Sequence, residues 1–260
     1  MMTSERFNWL LSGGDERAAE HPYLRQLRAN MKPQMQLVGD VAVMPIQGTL
    51  AYNPDVAEML YHGFEDSRAV LQMIDAAAVN PDVRGALVLM DTPGGMMLGG
   101  PEIGDAVAAM VRAGKPVVTH IGGLGASLGY MIASQSSKII ANKSAMVGSI
   151  GVISSVADYT KYLEASGIKI EVFTNKEAKF KAAGAMGTSL SDEQRSHIQA
   201  RSDSAFTVFK EMVMSKRPQV KAEAMQGQVF RGEEARKVGL VDGTGSDQAA
   251  MQVLKQLMKR

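Results

Sequence analysis

The sequence predicts an α/β fold with mainly parallel strands, and three observations predict it. Strand-like and helix-like segments alternate from residue 41 onward. Ala86-Leu-Val-Leu-Met90 is a continuous apolar run, the pattern of a strand covered on both faces. Two glycine-rich turns come directly after apolar strands, where open α/β sheets place their ligands. With 260 residues, 45% of them hydrophobic, the chain can bury one sizeable core or a core with a small appendage.

Residues 1–38 read as an extension with helix-like pieces near 4–12 and 22–30, neither carrying a long apolar face; residues 39–260 read as the main domain. Val41-Ala-Val-Met-Pro-Ile46 is the first strand, and residues 66–78 form an amphipathic helix with Val70, Leu71, Met73 and Ile74 on its apolar face. Strand 86–90 leads into the Pro93-Gly94-Gly95 turn and a helix near 101–113. Strand 116–121 then feeds Gly122-Gly-Leu-Gly-Ala-Ser127 and a helix-like 130–134. Further strands are expected at 138–141, 148–153 and 168–173, and helices at 157–166, 191–214 and from about 246.

Composition excludes several functions. Without cysteine there is no disulfide, thiolate chemistry or cysteine-held metal, and the four scattered histidines make no zinc spacing. A net charge of +1 provides no field for nucleic acid or an anionic membrane. No apolar run approaches the ~18 residues of a membrane span, and Glu5, Arg6, Asp15, Glu16, Arg17 and Glu20 do not suit a signal peptide. The expectation is a soluble cytoplasmic protein that needs no cofactor.

The chemistry concentrates in the two turns. Ser127 sits between a strand and a helix among small residues, where outward backbone N–H groups meet an approaching carbonyl. If the two strands are neighbours, the N–H groups of Gly95 and Leu128 can serve one oxyanion beside Ser127 Oγ. Met96, Met97 and Leu98 come next, as an apolar, adaptable lining for substrate or as core. No histidine is well placed as base: His120 is on the strand that precedes the turn, His197 is on a polar helix, and His21 and His62 lie outside the block. Lysine is the other candidate, because a desolvated lysine loses its proton near neutral pH. The segment 175–184 supplies Lys176, Lys179 and Lys181, and residue chemistry does not choose between Lys179 and Lys181.

Four motifs occur in order: Asp91-Thr-Pro-Gly-Gly95, Gly125-Ala-Ser-Leu-Gly-Tyr130, Val147-Gly-Ser-Ile-Gly-Val-Ile153, and Gly232-Glu-Glu-Ala with Gly239-Leu-Val-Asp242. Together they resemble the signal peptide peptidase A family of Ser–Lys serine peptidases, especially the branch that includes bacteriophage prohead (capsid maturation) proteases. The resemblance implies the crotonase-like (Clp/crotonase) superfold and a homo-oligomeric ring or dome whose neighbouring subunits complete the sites. It implies Ser127 as nucleophile, Lys181 as base, and Ser149 as the serine that orients the lysine. Gly95 and Leu128 correspond to the oxyanion hole, with Gly94, Met96 and Met97 beside it for substrate. The family's lysine segment usually carries Ser-Gly before the lysine and proline after it, where this chain has Asn175-Lys176 and Ala185-Met186.

These residues point to an endopeptidase acting on protein or peptide substrates, with phage capsid or scaffold proteins as the favoured ones. Degradation of peptides by a bacterial enzyme is the alternative within the family. A crotonase-type acyl-CoA enzyme would want a carboxylate near the site, yet no Asp or Glu occurs between Asp105 and Asp158. A Clp-like peptidase would want histidine near position 152, which is Val152. An inactive capsid-assembly subunit is the non-enzymatic alternative.

Overall fold

The computed structural model describes residues 30–259. The helix-like pieces expected at 4–12 and 22–30 therefore lie outside the described residues, apart from residue 30. The chain divides into two compact units: one runs to Ile150 and resumes at Phe209, and the other is Gly151–Val208.

The first unit is built on an eight-stranded sheet. Its elements are β1 (Gln36–Val38), β2 (Val41–Gln47), β3 (Thr49–Ala51), α1 (Val56–His62), β4 (Phe64–Asp66), α2 (Ser67–Val79), β5 (Gly85–Thr92), α3 (Gly100–Arg112), β6 (Val117–Ala126), α4 (Leu128–Ser134), β7 (Lys138–Ala141) and β8 (Met146–Gly148). After the second unit come β9 (Val229–Arg231), α7 (Gly232–Lys237), β10 (Gly243–Thr244) and α8 (Asp247–Leu257). Helix α5 (Thr160–Ala165) lies in the second unit, and α6 (Asp192–Lys216) begins there.

The order β1-β2-β5-β6-β7-β10 is parallel throughout except for the edge pair β1–β2. Parallel strands need both faces covered, and both are. Val41, Leu87, Val118 and Ile140 on one face pack with Ala250 and Leu254 of α8. Helices α2, α3 and α4 bury Val70, Ile74, Ile103, Val107 and Tyr130. The continuous apolar run 86–90 is indeed sandwiched, with Ala86, Leu87, Val88 and Met90 each no more than 3% exposed.

Near its end β6 changes partner. Val118–Ile121 pairs with β7, whereas Leu124–Ala126 pairs with β8, which continues antiparallel into β9. A separate two-stranded ladder, β3–β4, lies beside the Pro-Gly-Gly turn through a bridge between Leu50 and Gly95.

Two expected strands differ. The one at 148–153 is instead β8, ending at Gly148, because Ser149 adopts φ 52° and leaves the ladder. The one at 168–173 has no regular structure. Its apolar alternation calls for a partner strand and a covered face. Neither is present within the second unit, where Ile168 and Phe173 stay exposed.

Candidate active site

The two glycine-rich turns meet. Because β5 and β6 are parallel neighbours, both turns leave the same end of the sheet. Gly94 has φ 93° and lies so close to the second turn that a Cβ on it would stand 2.7 Å from Leu128 N and from Ser127 Cβ. Only glycine supports both the conformation and the approach.

The first turn is held by what surrounds it. Thr92, fully buried, donates its hydroxyl to Gly48 O (2.5 Å) and accepts the Gly94 N–H at 3.0 Å. Leu50 takes both sides of the bridge: its N–H donates to Gly94 O at 2.8 Å, and its carbonyl accepts the Met96 N–H at 2.9 Å. A Cβ on Gly95 would lie 1.9 Å from Leu50 O. These bonds use the N–H groups of Gly94 and Met96 and leave that of Gly95 without an acceptor among the described residues.

The second turn presents Ser127 at the junction of β6 and α4, with φ 51° and ψ −125°. A non-glycine residue there is strained and persists only where its surroundings enforce it, as at nucleophile turns. The enforcement is visible. Ser127 N–H donates to Gly148 O at 2.9 Å, and Ser127 O accepts the Met131 N–H at 3.0 Å. Ser127 is half-buried, its hydroxyl has no hydrogen-bond partner among the described residues, and the N–H of buried Leu128 is likewise unused. An unspent hydroxyl flanked by two unspent N–H groups is what addition to a carbonyl needs.

Ser149 stands close by. Ala126 and Gly148 are in register in the β6–β8 ladder, so Ser127 and Ser149 each come directly after a paired residue. Ser149 also has positive φ, and its N–H donates to Gln228 O at 2.6 Å. Of the apolar residues after the first turn, Met96 is exposed and Met97 half-buried. His120 is buried in β6, its Nε2 3.2 Å from Gly245 O and 3.3 Å from Asn142 Oδ1, so it is occupied in packing.

Lys181 belongs to the second unit. It is exposed in a turn whose backbone closes through Lys181 N–H to Ala178 O at 3.0 Å. Lys179 is 3.4 Å from Glu193 Oε1, and Phe180 between them packs on His197 with ring centroids 4.7 Å apart. Within this unit the uncharged residues 182–187 that follow Lys181 do not bury it.

Residue-by-residue reading missed Leu50 and the organising role of Thr92. A three-residue strand has no detectable period, and a threonine before Pro-Gly-Gly reads as ordinary turn composition.

Comparison with known proteins agrees with this architecture. A solved enoyl-CoA hydratase from Shewanella pealeana superposes with a TM-score of 0.53 at 13% identity, covering 91% of this chain and 78% of that one. That likeness shows the fold alone, and the fold is crotonase-like. Capsid assembly protease C of Escherichia phage lambda is 30% identical over 86% of this chain and 50% of its own length. Protease 4 of Salmonella typhi is 30% identical over 70% of this chain and 30% of its own. The chain thus spans half or less of the length of these two relatives. The profile of peptidase family S49 matches residues 109–260, a stretch that holds Ser127, Ser149 and Lys181. The chain belongs to peptidase family S49.

Proposed function

We propose that this chain is a serine endopeptidase whose nucleophile is Ser127 and whose base is Lys181. The observation that carries the proposal is Ser127 itself: a strained, half-buried serine with an unspent hydroxyl beside the unspent N–H groups of Gly95 and Leu128. Ser127 Oγ attacks the substrate carbonyl carbon while the neutral lysine amine takes its proton. The tetrahedral oxyanion is held by the two N–H groups, each worth about 10²–10³ in rate. Collapse breaks the C–N bond, and the lysine ammonium returns its proton to the leaving amine. Water, deprotonated by the same lysine, then releases the acyl group and restores Ser127. Ser149 orients the lysine, and Gly94, Met96 and Met97 border the substrate.

Lys181 is preferred over Lys179 because the Lys179 ammonium is already engaged by Glu193 Oε1 at 3.4 Å. A lysine serves as a general base where burial removes the solvation of its charge, and Lys181, exposed within its own unit, needs a cover for that. The second unit exposes Ile153, Tyr162 and Phe173 at 91%, 70% and 88%, surface that a homo-oligomer would bury and that would desolvate the lysine. Residues 39–260 would be the peptidase domain and 1–38 an extension. Soluble capsid or scaffold proteins in the host cytoplasm or prohead are the favoured substrates, in line with the relative called capsid assembly protease C. No described helix is long and apolar enough to cross a membrane.

The test is cleavage of fluorescein-labelled casein and of candidate capsid proteins. Ser127→Ala and Lys181→Ala are expected to lose about 10⁴-fold or more in kcat, and Lys179→Ala to stay within about threefold of wild type. Wild-type rates from Ser127→Ala would overturn the proposal.

A further inference from the structure

We infer that Asp91 is a positioning residue for Ser127, clamping the extra residues of β6 that turn its end toward β8. The inference rests on Ser127 being the nucleophile. Along the β5–β6 ladder, Met90 pairs with Ile121 and Thr92 with Gly125. Two steps along β5 therefore match four along β6, and Gly122–Leu124 bulge out where β6 leaves β7 for β8. A bulge leaves backbone groups unpaired and re-aims the residues beyond it.

Side chains hold this bulge from two sides. Asp91 Oδ1 accepts the Leu124 N–H at 2.9 Å, a bond strengthened by the carboxylate charge. Asn142 Nδ2 donates to Gly122 O at 2.8 Å. The Asp91 carboxylate lies directly over Gly123, where a Cβ would stand 2.7 Å from Oδ1 and 3.1 Å from Cγ. The base of the clamp is itself fixed, since Asp91 O accepts the Gly48 N–H at 3.1 Å. Asp91 is exposed and has no ion-pair partner among the described residues. Its charge serves the Leu124 N–H. Immediately beyond the clamp, Leu124, Gly125 and Ala126 pair with Met146, Val147 and Gly148, and the Ser127 N–H reaches Gly148 O. Releasing Leu124 loosens the one strand segment that sets the strained Ser127 conformation.

The test compares Asp91→Ala, Asp91→Asn, Gly123→Ala and the Asp91→Ala/Gly123→Ala double variant in casein cleavage and amide hydrogen exchange. Asp91→Ala should lower kcat about tenfold with KM within about twofold, the signature of misplaced chemistry rather than lost binding. Asp91→Asn keeps an acceptor and should return kcat to within about threefold of wild type. Gly123→Ala should act like Asp91→Ala by pushing the carboxylate aside, and the double variant should be no worse than either, with about tenfold loss in all three. The Ser127 amide should exchange about tenfold faster in Asp91→Ala and regain protection in Asp91→Asn, a readout that needs no substrate. Unchanged Ser127 protection in Asp91→Ala overturns the inference, as does unchanged kcat where Ser127→Ala is inactive. Activity surviving in Ser127→Ala would instead overturn the nucleophile assignment, while the exchange data would still judge the clamp.

Discussion

At the scale of single residues, Gly94 is held by both its conformation and its close approach to the second turn. Its φ of 93° and the 2.7 Å approach to Leu128 N and Ser127 Cβ leave no room for a methyl group. Gly94→Ala should therefore push the turns apart and cost about 10²-fold or more in kcat, with a Tm drop that leaves the protein folded at 25 °C. Steady-state kinetics and calorimetry together check this. The two turns were legible in the sequence because tight turns and close backbone approach call for small residues, glycine above all. The adjacency of the two turns was not, since it depends on which strands pair. The structure supplies it by placing β5 beside β6 in parallel.

At the scale of elements, long apolar segments read well and short ones did not. Strand 86–90 and the helices near 101–113 and from about 246 were predicted within about three residues, because an apolar pattern over a full element is a strong signal. The ladder β3–β4 has no such signal, yet Leu50 in it braces the Pro93-Gly94-Gly95 turn. Glu65 ties this ladder to the end of β2 by accepting the Gln47 N–H at 2.6 Å. Burial pushes the Glu65 carboxyl up to about 7 against the opposing effect of that bond. The folded state thus holds the proton more tightly than the unfolded chain, and Glu65 weakens stability as pH rises from about 4.5 to 7. Glu65→Gln, which keeps an acceptor, should stabilise the protein by about 1–2 kcal/mol at pH 8 and by nothing measurable at pH 4. Urea denaturation at both pH values reads this out, and equal effects at the two would contradict it.

At the scale of the whole molecule, the sheet is latched to its covering helices by buried charge as well as apolar area. Arg217, its side chain 4% exposed, pairs with Asp242 Oδ2 and donates to Ser136 O at 3.0 Å. Asp242 also receives Lys138 Nζ at 2.9 Å and the Ile139 N–H at 2.8 Å. Burial alone would raise the Asp242 carboxyl, but Arg217, Lys138 and Ile139 together hold it below its ordinary value of 3.8. Its contribution is therefore present above that pH and is lost as pH falls below it. Asp242→Asn should cost about 3 kcal/mol at pH 7 by stranding a buried guanidinium, and the difference from wild type should shrink below about pH 4. The Gly239-Leu-Val-Asp242 motif was legible as a motif, but its role as a latch was not, because Arg217 is remote in sequence. The second unit shows the opposite limit. Apolar alternation at 168–173 reads as a strand, but among the described residues of its own unit nothing pairs with it.

The most direct measurement is acid-quenched mass spectrometry of the enzyme caught turning over an activated peptide ester. An acyl group is expected on the peptide that contains Ser127, absent from Ser127→Ala. An acyl group carried on any other residue, or turnover undiminished in Ser127→Ala, would contradict it.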